Sequence, residues 1–219
     1  PGSDTSGNNN TFTASGTLTL AQDNPSNNLV TMNPLDNYYS NMTFSHGNNT
    51  TVSDDPAPSL STVALTSGKW YFEAKAVTST SGNDWQIGIV GDQVVSTSDE
   101  IGNHAKSWGY YGADGNYINN NSGTSYGNTY TAGDIIGCAV DLTNNKLYFS
   151  KNGVWQASGD PTTGAGAISI TAPTSTPLGA YFIGVGANAS TNSYTWSMNF
   201  GNGFFGVTAV ASSNADAAG

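Results

Sequence analysis

Few residues of this chain carry side chains that commonly perform chemistry, and most of them stand apart from one another. Glycoside hydrolysis needs two carboxylates close together, one to protonate the leaving group and a second as nucleophile or base. Glu73 is the only acid in the strand-like run Trp70–Val77, and its same-face neighbour is Lys75. The pattern therefore predicts a solvated pair of Glu73 with Lys75 and no catalytic pair of acids.

The two histidines and the single cysteine lack the surroundings of a nucleophilic centre. Neither His46 nor His104 has a Gly-x-Ser-x-Gly sequence or a reactive cysteine nearby. Cys138 stands in the apolar run Ile135–Leu142, which favours a buried thiol, and no spacing of His and Cys matches a zinc site. We therefore predict that the protein is not an enzyme and that it carries no cofactor.

Acidic residues in the predicted loops are the remaining candidates for metal ligands. A calcium loop presents several oxygen ligands at fixed offsets. The aspartates that stand singly in Asp- and Asn-rich loops are Asp84, Asp92, Asp114 and Asp160. None has further ligands at such offsets, so the sequence predicts Asx turns at these positions and no metal site. The adjacent acids Asp54-Asp55 and Asp99-Glu100 are predicted to be solvated loop charges.

The overall charge limits the classes of partner. Five lysine and arginine residues against fifteen acids give a formal net charge of −10. Nucleic acids and anionic membrane surfaces both attract basic proteins, and the sequence has no apolar run long enough to span a bilayer. We therefore predict no nucleic-acid binding and no membrane insertion, and we expect the partner to be a protein or a surface glycan.

Alternation of apolar and polar residues predicts strands along most of the chain. In Trp70–Val77, the side chains of Trp70, Phe72, Ala74 and Ala76 fall on one face. Similar strand-like runs, separated by turn residues, are Trp85–Val90, Ile135–Leu142 and Tyr194–Phe200. Because no segment has helical spacing, the sequence predicts a single all-β domain in which two antiparallel sheets enclose one core.

Asn152-Gly153 is the clearest local signal of a turn. It stands between two largely apolar segments, Leu147–Ser150 and Val154-Trp155. A tight type I′ hairpin turn needs positive φ at both central residues, which Asn and Gly adopt most readily. The sequence therefore predicts a two-residue hairpin here.

Five segments, in order along the chain, resemble the motifs of SPRY domains. They are Gly68–Glu73, Gln86–Ile89, Trp108–Tyr110 with Asp114-Gly115, Gly133–Leu142 and Lys146–Trp155. The resemblance runs from about Gly68 to Phe200. It implies a concanavalin-like, jelly-roll-like sandwich of two antiparallel sheets, used as a scaffold for loops that bind a partner.

Two short segments at the edges of that region resemble segments of a particular class of proteins. Pro25–Tyr39 and Asn199–Gly203 are similar to stretches beside SPRY domains in virion proteins of bacteriophages, particularly marine ones. This resemblance implies a virion or extracellular location and a longer parent chain or assembly. We expect an expression scar and disordered leader at 1–10, an N-terminal extension packing on the sandwich at 11–67, the SPRY-like core at 68–206 and a tail or linker at 207–219.

Partner contacts are expected on loops at one end of the sandwich, as the SPRY resemblance implies. The candidate loops are Gly91–Lys106, Asn119–Tyr126, Gly186–Asn192 and Asn37–Tyr39. The side chains that offer a ring or an amide to a ligand there are Tyr38, Asn103, His104, Tyr126, Asn188 and Asn192.

The predicted function is a non-catalytic binding or adhesion module of a phage tail or capsid-associated protein. It would recognise a protein or a glycan through these loops. The alternatives left open are a purely structural virion decoration domain and a carbohydrate-active enzyme.

Overall fold

The computed structural model describes residues 6–11, 13, 15, 29–36, 38–54, 56–188 and 192–210. Within them, the regular structure is made of strands and two single-turn 3-10 helices, Gln156–Ser158 and Pro173–Ser175. The strands are β1 Met42–Ser45, β2 Thr50–Ser53, β3 Ser59–Leu65, β4 Lys69–Ser79, β5 Trp85–Val90, β6 Ser107–Tyr111, β7 Asn116–Asn119, β8 Ser122–Ser125, β9 Ile135–Asp141, β10 Lys146–Lys151, β11 Val154–Trp155, β12 Ile168–Ser169, β13 Tyr181–Ala187, β14 Tyr194–Asn199, β15 Phe204–Phe205 and β16 Thr208–Ala209. No helix among these residues is long and apolar enough to cross a membrane.

Two antiparallel sheets form the sandwich. One has eight strands in the order β1-β2-β14-β4-β9-β10-β11, with β12 also paired to β10, and the other has six in the order β3-β13-β5-β6-β7-β8. The short strands β15 and β16 make a separate two-stranded sheet. The predicted all-β sandwich is therefore confirmed.

The core between the sheets is built from the predicted alternation. Phe72, Ala74 and Ala76 of β4 are buried, and so are Trp85 and the inward residues of β5. The Trp85 ring meets the rings of Tyr194 and Trp196 edge-on, with both centroid distances at 5.0 Å. Such edge-to-face contacts add to the burial of large rings, so this aromatic cluster joins the two sheets.

Cys138 is fully buried in the same core, as predicted. Burial raises the pKa of its thiol well above the usual value. A protonated thiol in an apolar environment behaves as a small hydrophobic side chain.

Two positions on β4 differ from the sequence prediction. Trp70, expected in the core, is 42% exposed and donates its indole N–H to the Ser67 carbonyl at 2.7 Å. Glu73, expected in solvent beside Lys75, is only 4% exposed and accepts hydrogen bonds from Tyr71 Oη at 2.9 Å and Asn199 Nδ2 at 3.2 Å. Alternation predicts on which face of the sheet each side chain of β4 lies, but it does not reveal that other segments cover the outer face.

Asn199 explains why Glu73 is buried. The Asn199 side-chain oxygen accepts the backbone N–H groups of Gly201 and Gly203, both at 3.1 Å. Glu73 holds the amide end of this side chain, so the carboxylate fastens the turn that leaves β14. Glu73 thus stabilises the fold, because its hydrogen bonds satisfy a polar group that would be costly to bury without partners.

The predicted hairpin at Asn152-Gly153 is present. The two residues have φ values of 49° and 79°, as a type I′ turn requires. On either side, Lys151 pairs with Val154 and Ser150 with Trp155.

The segment before β4 supplies strands to both sheets. β1 and β2 extend the eight-stranded sheet through β14, and β3 pairs with β13 in the six-stranded sheet. Met32 is fully buried and forms an isolated antiparallel bridge with Ser61. The start of the predicted N-terminal extension 11–67 falls mostly on residues outside the described part of the chain.

Three glycines form a row across the outer face of the six-stranded sheet. Gly184 of β13 pairs with Gly88 of β5, which in turn pairs with Gly109 of β6. Ile101, from the connection between β5 and β6, is fully buried against this glycine row. A Cβ on Gly109 would lie 2.8 Å from the Ile101 carbonyl oxygen, and one on Gly184 would lie 3.2 Å from Ile101 Cδ1. The absence of side chains therefore allows the connection to approach the sheet so closely.

Gln86 fastens the same connection by hydrogen bonds. Its Oε1 accepts the backbone N–H of Ile101 at 3.2 Å, and its Nε2 donates to Glu100 Oε2 at 3.0 Å. Burial raises the pKa of the Glu100 carboxyl; the bond from Gln86 opposes this shift and the nearby carboxylate of Asp84 adds to it. The Glu100 side chain is half-buried, so the prediction of a solvated charge at this residue was wrong.

We expect Glu100→Gln to raise the melting temperature at neutral pH. A raised pKa in the folded state means that the folded protein binds this proton more tightly than the unfolded chain. Stability is therefore lost as pH rises from the unfolded pKa of about 4.3 through the folded one. The amide has no charge to desolvate and can still accept from Gln86.

Thermal unfolding followed by circular dichroism measures this effect. The gain in melting temperature should be present at about pH 7 and shrink toward about pH 4. Asp114→Asn, at an exposed acid, is the matched control and should show no such pH-dependent gain. A Glu100→Gln protein that melts below the parent at neutral pH would contradict the interpretation.

Candidate functional site

A groove opens on the outer face of the six-stranded sheet, between the β5–β6 connection and the segment that precedes β1. Its volume is about 450 Å³. We call it the outer groove, and its lining residues are Asp36, Tyr39, Leu60, Asp92, Gln93, Val94, Val95, Leu178 and Phe182. Two of the candidate loops predicted from the sequence, Gly91–Lys106 and Asn37–Tyr39, therefore contribute to one concave surface.

The floor of the outer groove is apolar. Leu60 of β3 is buried with Val90 and Ile101, and Phe182 of β13 packs against this small cluster. The cluster is continuous with the glycine row, because Gly184 also lies beside Leu60 and Ile101. The packing of Ile101 against this cluster thus positions the β5–β6 connection, which forms one wall of the groove.

Two aspartates hold that wall in shape. Asp92 Oδ2 accepts the backbone N–H of Lys106 at 2.5 Å, which closes the β5–β6 connection at its base. Asp99 Oδ2 accepts the N–H groups of Val95 and Ser96 at 2.7 and 3.1 Å. Asp99 is only 9% exposed, so it is not the solvated charge that the sequence predicted.

The opposite wall comes from the N-terminal segment. The Asn33 N–H donates to the Leu60 carbonyl at 2.8 Å, and Asn33 Oδ1 accepts the Leu35 N–H at 3.0 Å. The first bond ties the segment to β3, and the second closes a turn within the segment. Beyond them, Leu35 is 93% exposed and Tyr38 is 88% exposed, with the Tyr38 ring edge-on to Tyr39 at 4.8 Å.

Asn103 and His104 shape the connection from within. Asn103 Nδ2 donates to the Ser98 carbonyl at 3.2 Å, and His104 Nε2 lies 3.2 Å from Asp99 Oδ1. The His104 carbonyl accepts the N–H of Asn120, at the β7–β8 turn, at 3.2 Å. The predicted site residues of this loop therefore organise it, and the β7–β8 turn packs behind it.

Tyr126, another predicted site residue, packs into the core. Its ring lies 5.8 Å from that of Tyr110 and 6.1 Å from that of Phe149, and its hydroxyl accepts the Phe149 N–H at 3.1 Å. Burial raises the pKa of Tyr126 to about 12. These contacts give the side chain a structural role.

Asn188 and Asn192 lie at the opposite end of the sandwich from His104. They belong to the β13–β14 connection, whose residues 189–191 are outside the described part of the chain. The Asn188 N–H donates to the Asp84 carbonyl at 2.7 Å, and Asn188 is exposed. The six predicted side chains therefore do not share one end, since the register of the strands places the two loops apart.

Asp84 is fully engaged at that second end. Its carboxylate accepts the hydroxyls of Tyr111 at 2.6 Å and Tyr194 at 2.9 Å. Burial, followed by the contact with Asp84, raises the pKa of Tyr194 to about 12. Both phenols therefore remain hydrogen-bond donors to this carboxylate, and the network closes the end of the core.

The remaining loop aspartates serve their own turns. Asp114 Oδ1 accepts the Asn116 N–H at 2.9 Å, and Asp160 Oδ1 accepts the Thr162 N–H at 2.8 Å. These are the predicted Asx turns. Among the residues that the structure describes, no group of three or more His, Cys, Asp or Glu side chains could hold a metal ion.

Sequence reasoning missed the floor of the outer groove. Phe182 stands between Tyr181 and Ile183, both buried, so alternation places an aromatic ring on the outer face. That outward-facing ring was the available signal. The partnership of Phe182 with Leu60 was not readable, because it depends on the pairing of β13 with β3.

Comparison with known proteins agrees with this architecture. A family model described as SPRY domain matches residues 69–203. Ran-binding protein 9 of Danio rerio is 40% identical over 88 residues, which are 39% of this chain and 14% of that protein. Ran-binding protein 9 of Homo sapiens is 41% identical over 88 residues, 39% of this chain and 12% of that protein. The Ran-binding proteins 9/10 homolog of Drosophila melanogaster is 36% identical over 88 residues, 40% of this chain and 9% of that protein.

These matches cover a small part of the length of each relative, so they concern a domain and not a whole protein. The region matched by the family model spans β4 to β14 and contains the glycine row and most strands of both sheets, while β1, β2 and β3 precede it. It accounts for more than half of the chain. The chain belongs to the SPRY domain family, which consists of protein-interaction modules.

Proposed function

We propose that this chain is a non-catalytic protein-binding module whose outer groove takes an apolar side chain of a partner segment that also carries basic residues. The observation that carries the proposal is the make-up of the groove. The apolar floor of Leu60 and Phe182 shares the lining of the groove with two acids, Asp36 and Asp92.

Charge complementarity selects the partner. The chain has a formal net charge of −10, and the walls of the groove add acids beside an apolar floor. A lysine or arginine next to an apolar anchor would meet both features, and surface charge of one sign speeds the approach of the opposite sign. The exposed Leu35 and Tyr38 beside the groove extend the apolar contact area.

The size of the groove suits one anchor and its neighbours. About 450 Å³ lies within the usual range of ligand clefts, roughly 300 to 1,000 Å³. Interfaces of this kind depend on a few anchor side chains that fill a pocket at the centre of the contact. We therefore expect one apolar side chain of the partner to supply most of the affinity.

A binding role also fits the state of the acid that most resembled a catalytic residue. Glu73 is buried and bonded to Tyr71 and Asn199, which leaves its carboxylate committed to the fold. General acid catalysis needs a carboxyl within reach of the substrate. This supports a module without catalysis.

A virion or extracellular setting is a further proposal, supported by the resemblance of Pro25–Tyr39 and Asn199–Gly203 to segments of phage virion proteins. In that setting the partner would be another particle protein or a host-surface protein. Mass spectrometry of purified particles tests this directly. Particles of the source phage that lack this chain would end the proposal and leave the binding role untouched.

Selection from a random peptide library, followed by affinity measurement, tests the groove. We expect enriched peptides to combine an apolar residue with adjacent Lys or Arg. Val95→Lys puts a positive charge at an exposed position of the groove, so it should weaken binding at least about tenfold, the usual scale of one lost anchor contact.

The matched control is Val154→Lys, which makes the same change at an exposed valine of the β10–β11 hairpin. It should leave affinity unchanged. If the selected peptides instead lose affinity in Asn188→Ala and Asn192→Ala and tolerate Val95→Lys, the binding surface is at the opposite end of the sandwich. Binding of glycans but of no peptide would also overturn the proposal.

A further inference from the structure

A second pocket lies on the outer face of the eight-stranded sheet, at the β9–β10 turn. Its volume is about 190 Å³. Lys69, Asp141 and Lys146 stand side by side in it, because the register of β4, β9 and β10 pairs Asp141 with both lysines. We call it the lysine pocket. It holds two of the five basic residues in a chain of net charge −10.

The carboxylate in the lysine pocket is already committed. Asp141 Oδ1 accepts the N–H groups of Thr143 and Asn144, both at 3.0 Å, and Oδ2 accepts Asn144 Nδ2 at 2.7 Å. Lys69 Nζ lies 3.4 Å from the same Oδ2. Burial opposes ionisation of Asp141, yet the bonds from Asn144 and Lys69 outweigh it and lower the pKa.

Lys146 forms no ion pair with a carboxylate of the described residues. Its Nζ donates to the Gly164 carbonyl at 3.4 Å. Gly164 has a φ of +89°, and a Cβ there would lie 2.2 Å from Lys146 Nζ. The Lys146 ammonium therefore lies directly against the Gly164 backbone. The pocket lining therefore holds two lysines and one carboxylate that is already hydrogen-bonded, and the carboxylate of Asp160 lies nearby.

Tyr148 is a second polar side chain of this pocket with hydrogen-bonding capacity to spare. It lines the pocket at 1% exposure, and its buried hydroxyl has no hydrogen-bond partner among the described residues. Buried polar groups nearly always have hydrogen-bond partners, and an unsatisfied one lowers the stability of the folded state. Burial, with the nearby carboxylates of Asp141 and Asp160, raises the pKa of Tyr148, so the hydroxyl keeps its proton to donate.

We propose that the lysine pocket binds the carboxylate of an acidic side chain on a partner protein. An ammonium without a paired carboxylate and a phenol without an acceptor both seek an anionic oxygen. The volume suits a single side chain, since it is below the usual range of small-molecule clefts. This site lies on the other sheet from the outer groove, and it would select an acid where the groove selects a base.

Nuclear magnetic resonance titration of the isotope-labelled protein tests the proposal with two short probes. The first is an acetylated, amidated Gly-Glu-Gly peptide, and the second is the same peptide with Gln. We expect the Glu peptide to shift the amide resonances of residues 141–148 and 161–164 and the Gln peptide to leave them in place. Added salt should weaken the binding, because the contact is between charges at a surface.

Variants then assign the donors. Lys146→Met should weaken binding of the Glu peptide by about tenfold, the scale of a hydrogen bond to a charged group. Lys75→Met makes the same change on the same face of the same sheet, away from the pocket, and should leave affinity unchanged. Tyr148→Phe should weaken binding about threefold or more while the melting temperature stays level or rises, because the hydroxyl has no partner in the free protein.

Three results would overturn the proposal. The Gln peptide could shift the same resonances as the Glu peptide, or Lys146→Met could retain full affinity for the Glu peptide. Alternatively, acetate could shift the resonances of the pocket while the Glu peptide leaves them unchanged. The last result would show a site for free small anions and not for a partner's side chain.

Discussion

The packing of Ile101 against the row of Gly88, Gly109 and Gly184 is the contact on which the outer surface of the six-stranded sheet depends. A long polar connection between two strands has little reason to lie against a sheet, because its backbone groups prefer water. Here a single apolar side chain enters a trough that the glycines leave open, and Gln86 satisfies the backbone beside it. With the connection held down, Asp92 and Asp99 can bond its backbone and give the outer groove a fixed wall.

Most acids in the part of the chain that the structure describes accept hydrogen bonds from other residues of the fold. Glu73 fastens the turn after β14, Asp84 closes one end of the core, Asp99 shapes the β5–β6 connection and Asp141 orders the β9–β10 turn. In a chain with few charges, a carboxylate that accepts backbone N–H groups can replace the salt bridges that other surfaces use. The acids that remain free to meet a partner, such as Asp36, are therefore informative about the charge of that partner.

Much of the fold was readable from the sequence, and the reasons are local. Period-two alternation identified the inward side chains of β4, β5 and β14. The pair Asn152-Gly153 predicted a tight turn, because these two residue types readily adopt the positive φ that the turn needs. The errors came from contacts between distant segments. Glu73 was buried by a turn more than a hundred residues later, while Trp70 is exposed and bonds locally to Ser67. His104 and Asn188 lie at opposite ends of the sandwich because of the order of the strands in the sheets. No local sequence pattern reveals that order.

Hydrogen–deuterium exchange of Gly109→Ala tests the central claim, that the glycine row holds the β5–β6 connection and so forms the groove wall. Because Gly109 lies in an extended strand, the added methyl acts by its clash with Ile101, whose carbonyl oxygen would be 2.8 Å away. Gly123→Ala, on the exposed strand β8, is the matched control. The account predicts faster exchange for amides of residues 91–106 and for Asn120 and Asn121 in Gly109→Ala, with β9 and β10 as protected as before. Unchanged protection of residues 91–106 in a folded Gly109→Ala protein would contradict it.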